Sequence, residues 1–299
     1  MNNRYFFGIL IVMAGGTFLS TSGILLRIME SPDGWQIIFY RSLTFFITIL
    51  LLLLFKYRKG TLGAYRAIGF RGFIASLLLG MGSVCYIFAM LNTTVANVVF
   101  IIGSAPLVTA LMAWLILREK VSGWSLIAMF TALLGIGLMF VDGLVSGGML
   151  GNILALIMVF MFAFYLLILR YQKNIDMIPA TGLSGLITFG LAAIFMPTLE
   201  ISTHDLIICI ALGSFQFGLG FLFLTLGTRY IPAAEVALFA MTESILNPIW
   251  VWIGVNEVPS NYTLAGSAIV LVSVIGYSFI VIRAEHRQSQ KNRTTPENS

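Results

Sequence analysis

Charge is what this chain has least of. Asp, Glu, Lys and Arg together make up 10% of its 299 residues, against roughly 25% in soluble domains, too few to coat a water-facing surface of this size. Histidine and cysteine are nearly absent. His204 and His286 both fall outside the apolar runs, and Cys85 and Cys209 sit inside apolar runs with no C-x-x-C or Cys/His grouping. A metal centre or a Ser/His/Asp nucleophile within the apolar part is therefore excluded, and the two cysteines read as buried hydrophobes. No G-x-x-x-x-G-K-[ST] occurs, so the chain has no nucleotide-driven engine of its own. Long strict alternation, the mark of a membrane barrel, is missing as well.

What is there is apolar. Hydrophobic residues are 59% of the chain, with 24 Phe, 14 Met and 29 Gly, a composition suited to helices packed closely in lipid. A helix needs roughly 20 apolar residues to cross a bilayer. The runs predict ten spans, near residues 6–28, 34–55, 71–91, 94–117, 123–141, 149–169, 178–199, 206–227, 232–254 and 262–282. The first is too long for a signal-peptide core and lacks a small-residue cleavage site, so it reads as a span. The turn at Leu91-Asn92-Thr93 is the faintest of the breaks. With the N-terminus in the cytoplasm, fifteen of the seventeen Lys and Arg fall on the inner side, leaving Arg27 outside and Arg41 within a span. That asymmetry predicts the orientation, with both termini cytoplasmic, and accounts for the basic residues without nucleic acid.

The stretch Asp142 to Gly148 divides the spans five and five. A shift of 138 residues superposes Trp114 on Trp252, Glu119 on Glu257 and Ser122 on Ser260, together with Ala96 on Ala234, Val98 on Val236 and Leu126 on Leu264. The expectation is an all-α integral membrane protein of ten transmembrane helices in two five-helix repeats, residues 1–144 and 145–283, with a polar, disordered cytoplasmic tail at 284–299. Because each repeat holds an odd number of spans, the copies would be inverted, with a binding site between them near mid-membrane.

The segments Trp35-Gln36-Ile37-Ile38-Phe39-Tyr40-Arg41-Ser42, Ser104-Ala105-Pro106 through Leu117-Arg118-Glu119-Lys120, and Arg229-Tyr230-Ile231-Pro232-Ala233-Ala234 through Glu243-Ser244-Ile245-Leu246-Asn247-Pro248 to Asn256-Glu257-Val258-Pro259-Ser260 carry a family likeness. Over almost its whole length the sequence resembles the drug/metabolite transporter superfamily, in particular its ten-helix EamA-type family. The resemblance implies alternating-access movement of small metabolites across a plasma (bacterial inner) membrane, often amino acids or their relatives and frequently outward. The four-helix multidrug relatives carry a Glu in their first helix; here that helix has Gly15-Gly16-Thr17 and no acid, which argues against organic-cation antiport by their mechanism.

Ionisable groups inside a span cost about 2.5–3.5 kcal/mol on insertion scales, so each calls for a reason. Glu243 is predicted near the bilayer centre, with Asn247 at i+4 and Trp250 at i+7 on its face. A carboxyl, an amide and an indole so placed suit a solute amine, and the carboxyl is the candidate for proton coupling; the alternative is a neutral or paired Glu that holds helices together. Glu235, a turn into the same span, suits the helix N-terminus. Arg41 has three readings: a fork for a substrate carboxylate, a snorkelling cation among headgroups, or a partner of Glu243. Ser104 and Thr242 are equivalent under the repeat and close to Pro106 and Pro248, which free helix carbonyls for a ligand or simply kink the helix. Gln216, Asn97, Asn152 and Tyr86 are further cavity-lining candidates. The expected partners are a small-molecule solute and the lipid bilayer, with no cofactor, no metal and no nucleic acid. The classes that compete with a secondary transporter are a channel or facilitative uniporter and, much less well supported, a membrane enzyme.

Overall fold

The computed structural model describes residues 3–30, 33–93, 95–119, 121–139, 148–255 and 261–294. Among them there is helix and no strand. Eight helices are long and apolar enough to cross a membrane, and two shorter apolar helices, Gly123–Leu138 and Leu264–Tyr277, accompany them. Large apolar side chains such as Trp114, Leu134 and Phe279 point outward, as they must where the surrounding solvent is hydrocarbon.

The first half contains α1 (Asn3–Leu19), α2 (Ser22–Arg27), α3 (Gly34–Tyr57), the short α4 (Thr61–Ala67), α5 (Gly69–Asn92), α6 (Val95–Gly103), α7 (Ala105–Met112) and α8 (Gly123–Met139). The second contains α9 (Met149–Tyr171), α10 (Ile178–Phe195), α11 (Thr203–Ala211), α12 (Gly220–Gly227), α13 (Ala233–Ala240), α14 (Thr242–Val255) and α15 (Asn261–Thr294). The chain does turn at Thr93, so the faint break between the third and fourth apolar runs is real. The tail departs from expectation: α15 stays helical to Thr294, because Ala284 to Arg293 is rich in good helix formers and holds neither Gly nor Pro.

Local chemistry sets the helix ends. Asp33 caps α3 by accepting from Trp35 N (2.7 Å) while Gln36 Oε1 accepts from Asp33 N (3.0 Å), a reciprocal box that satisfies two otherwise orphaned donors. Gln36 also donates to the carbonyls of Thr198 and Glu200, which fastens this end of α3 to the segment after α10. Ser202 caps α11 through Asp205 N (3.1 Å).

The helices pack in reciprocal pairs. α5 lies against α9 as α1 lies against α12; α3 packs on α10 and α8 on α15; α7 meets α13. Close approach depends on small residues. At Gly213 a Cβ would overlap the Thr44 hydroxyl and the Arg41 carbonyl, and at Gly135 it would sit 2.9 Å from the Gly266 carbonyl. The interior is correspondingly studded with buried hydroxyls, of which Tyr165, Thr181 and Thr225 form a closed triad at 2.8–2.9 Å.

Candidate functional site

Among the described residues four membrane helices are interrupted rather than continuous. α1 gives way to α2 at Ser20–Thr21, α6 to α7 at Ser104, and α13 to α14 at Met241. Between α11 and α12 the chain adopts a π-helical segment, Leu212–Leu219, a geometry that concentrates at functional sites because it re-aims side chains. Pro106, which cannot donate to the carbonyl of Ile102, explains the second break. Pro248 cannot explain the third, since it lies too far downstream. Breaks of this kind free backbone groups inside the membrane, and something polar must meet them.

At the first break the answer is visible residue by residue. The Leu19 carbonyl accepts from Gln216 Nε2 (3.3 Å), and Ser20 Oγ accepts from Trp250 Nε1 (2.8 Å). Asn247 packs against Gly23 so tightly that any Cβ there would overlap its Oδ1. Glu243, in the first turn of α14, lies beside Gly16, whose Cβ would come within 3.4 Å of the Glu243 nitrogen. Thus α2, the π segment and α14 converge on the broken middle of the first membrane helix. Among the described residues no hydrogen-bond donor or cation is paired with the Glu243 carboxyl.

Arg41, on α3, is a second interior ionisable group. Its side chain is 4% exposed, so it does not reach out to headgroups. One guanidinium Nη2 donates to Ser83 Oγ on α5, and the guanidinium carbon lies 4.7 Å from the centre of the Phe217 ring. Arg41 Nε and Gln216 Oε1 are buried without a hydrogen-bond partner. No ion pair joins Arg41 to Glu243 among the described residues. Tyr86 on α5 lies within electrostatic range of both Arg41 and Glu243, which places the three in one interior region, and among the described residues no hydrogen bond joins Tyr86 to either of them.

The sequence candidates are therefore not all gathered. Glu243, Asn247 and Trp250 share one face, and among the described residues no hydrogen bond or ion pair joins Arg41 to them. Thr242 adjoins Glu243, but its hydroxyl donates to the Phe239 carbonyl (2.8 Å). Ser104 behaves in the same way, donating to Ile101 (2.6 Å), and among the described residues no polar contact joins it to the Arg41 and Glu243 group. Both hydroxyls satisfy a carbonyl three residues back at a helix break. Asn152 accepts from Thr93 (2.9 Å) and lines a separate cavity of about 380 Å³ with Ile101, Met149, Ile153 and Leu156. The side chains of Asn97 and Pro248 lie outside the described residues. Ser20, Ser83 and Phe217 carried no sequence signal, because small hydroxyls and Phe are everywhere in this chain; the π segment that aims Gln216 inward cannot be read from residue types at all.

A second set of polar contacts lies at the basic end of the bundle. Asp176, between α9 and α10, accepts from Lys56 Nζ (2.6 Å), Tyr57 Oη (2.5 Å) and Arg229 Nη2 (2.8 Å). Burial pushes the Asp176 pKa up, but the hydrogen bonds from Lys56 and Tyr57, with the Arg229 guanidinium nearby, outweigh it and hold the carboxyl below the usual aspartate range. Arg170 pairs with Glu119 (2.9 Å) and donates to the Thr228 carbonyl. Glu235, in the first turn of α13, accepts from Tyr5 and from Tyr277 (2.8 Å).

An all-helical assembly with membrane-length spans, broken helices and an enclosed polar centre is the build of a membrane transport protein, and comparison with known proteins agrees. The EamA-like transporter family matches residues 6–141 and again residues 149–279. The chain belongs to that family, within the drug/metabolite transporter superfamily; it is a transporter and not an enzyme. An uncharacterized transporter of Helicobacter pylori is 25% identical over 256 residues, covering 82% of this chain and 85% of that protein. A solved protein crystal structure shares the fold, with a TM-score of 0.78 at 14% identity over 93% of this chain and 98% of its own.

Proposed function

We propose that this protein is a secondary transporter that carries a small metabolite, an amino acid or a related amphiphilic carboxylate, across the plasma membrane by alternating access, with Glu243 coupling the movement to protons. The observation that carries this reading is a single one. Arg41 and Glu243 are ionisable groups of opposite sign in one interior region, both within electrostatic range of Tyr86 and, among the described residues, not paired with each other. A solute bearing both a carboxylate and an amine would complete both groups. Arg41 would hold the carboxylate through its fork, and Glu243, Asn247 and Trp250 would receive the amine end, with Thr242 at the start of that face. Ser104 is proposed to act through its helix break, by letting the segment above Pro106 tilt.

The mechanism needs two related conformations. Two family matches in tandem, helix packing that survives exchange of the halves, and breaks at Ser104 and Met241 in corresponding helices support two five-helix repeats. Ten spans with five per repeat make the copies inverted, which permits one state open to each face. The distribution of Lys and Arg supports cytoplasmic termini. A carboxyl at the middle of such a device exchanges its proton with whichever face is open, so solute and proton can compete for it or bind together.

The test is counterflow and pH-driven flux in liposomes, with amino acids, carboxylates and amines as solutes. Glu243→Gln should abolish flux driven by an imposed pH gradient while leaving solute exchange at least partly intact. If pH gradients leave wild-type flux unchanged, or if the Gln variant still concentrates solute, coupling through Glu243 is wrong. Flux that never saturates with solute would replace the carrier by a channel.

A further inference from the structure

Between α3 and α5 the chain turns back through an elbow. Two residues with positive φ, Arg58 at 49° and Gly69 at 58°, bend it at either side of α4. Thr61 and Ile68 are buried and turn one side of α4 toward the protein, and the Thr61 hydroxyl donates to the Arg58 carbonyl (2.8 Å), which closes the turn that leads into α4. The other side carries Leu62 and Arg66, one turn apart and both exposed.

The elbow is positively charged, and among the described residues no carboxylate cancels it. Arg58, Lys59, Arg66 and Arg71 are all exposed. No Asp or Glu occurs anywhere between Gly34 and Arg118. The acid that reaches this region, Asp176, is committed to Lys56, Tyr57 and Arg229. Arg71 lies over the Tyr171 ring at 4.6 Å, a contact that leaves its charge in place. Among the described residues none of the four cations is paired with a carboxylate. The same elbow exposes Phe55 (89%), Leu62 (64%) and Phe70 (76%). Large apolar side chains directly bordered by uncompensated cations, at the ends of two membrane helices, match the passage from acyl chains to phosphates in a bilayer. A soluble phosphate would leave Phe55 and Phe70 in water, and a zwitterionic headgroup would leave four positive charges unopposed.

We propose that this elbow is a binding site for anionic phospholipid, with headgroup phosphates on Arg58, Lys59, Arg66 and Arg71 and acyl chains over Phe55, Leu62 and Phe70. A lipid held there steadies the end of α3 from which Lys56 and Tyr57 grip Asp176. The inference needs only the membrane setting of the family and is independent of what the protein carries.

The test uses the purified full chain, stripped of lipid in detergent and returned to phosphatidylcholine nanodiscs with or without phosphatidylglycerol, read by thermal unfolding and by native mass spectrometry of retained lipid. Phosphatidylglycerol should raise the unfolding temperature of the wild type and remain bound. Each cation replaced by Gln (Arg58→Gln, Lys59→Gln, Arg66→Gln, Arg71→Gln) should weaken retention about fivefold, more at low salt. A parallel set, Arg58→Lys, Arg66→Lys and Arg71→Lys, keeps the charge and should keep the shift, which separates lipid binding from damage to the elbow. Three results overturn the proposal: the same shift in the wild type and in a variant that combines all four Gln replacements, equal stabilisation and retention with phosphatidylcholine alone, or equal protection by inorganic phosphate. Loss of the shift in the Lys set would likewise refute a charge-based site.

Discussion

In the proposed cycle the basic end of the bundle must part, and Asp176 is what holds it. The carboxylate joins α3 of the first half, through Lys56 and Tyr57, to the linkers of the second, through its own position and Arg229. Asp176→Asn keeps the shape and removes the charge. Lys56 is 47% exposed, so its pair is worth about 0.5 kcal/mol. Arg229 is more enclosed, at 29%, and about 1 kcal/mol is reasonable. The short Tyr57 bond adds about 1 kcal/mol. The loss is therefore roughly 2–3 kcal/mol, or about 30- to 150-fold in the balance between closed and parted ends. Thr228 is 1% exposed beside this joint, its carbonyl held by Arg170. A Thr228→Cys reporter, in a background without Cys85 and Cys209, should react with a soluble thiol reagent faster by that factor when Asp176 is Asn. The pH dependence follows from the lowered pKa of Asp176. A carboxyl whose folded pKa lies below its unfolded value contributes stability above the unfolded pKa, near 3.9, and loses it as pH falls through the folded one. The difference between wild type and Asp176→Asn should therefore be constant at neutral pH and vanish only in acid. Labelling rates equal within twofold at neutral pH would refute the joint.

Arg41→Lys should reduce solute counterflow severalfold while leaving the unfolding temperature nearly unchanged, because Lys keeps the charge and loses the fork; normal transport would remove Arg41 from the solute site. Single cysteines at Ser202 and at Lys59 should label from opposite faces of intact cells with an impermeant thiol reagent, Ser202 from outside; labelling of both from outside would sink the ten-span orientation.

Composition and periodicity alone determined that this chain lives in a membrane and roughly where its helices run; the family resemblance rested on particular segments, such as Trp35 to Ser42 and Glu243 to Pro248. Solvent chemistry explains why. Apolar runs of membrane length, interrupted by turn and charge signals, have one stable use, and the side on which Lys and Arg accumulate is written in the loops. Glu243, Asn247 and Trp250 were legible as one face because helical spacing is local. The residues that complete the interior were not. Gln216 reaches the Leu19 carbonyl only because eight residues of its helix adopt π geometry, and Ser20 matters only because α1 breaks beside it. Arg41 was open to three readings from its depth alone; burial at 4%, the Ser83 hydroxyl and the Phe217 ring took it out of the headgroups, and among the described residues no ion pair joins it to Glu243. Such choices depend on contacts between helices far apart in sequence. Only packing decides which polar group meets a carbonyl that a broken helix has released.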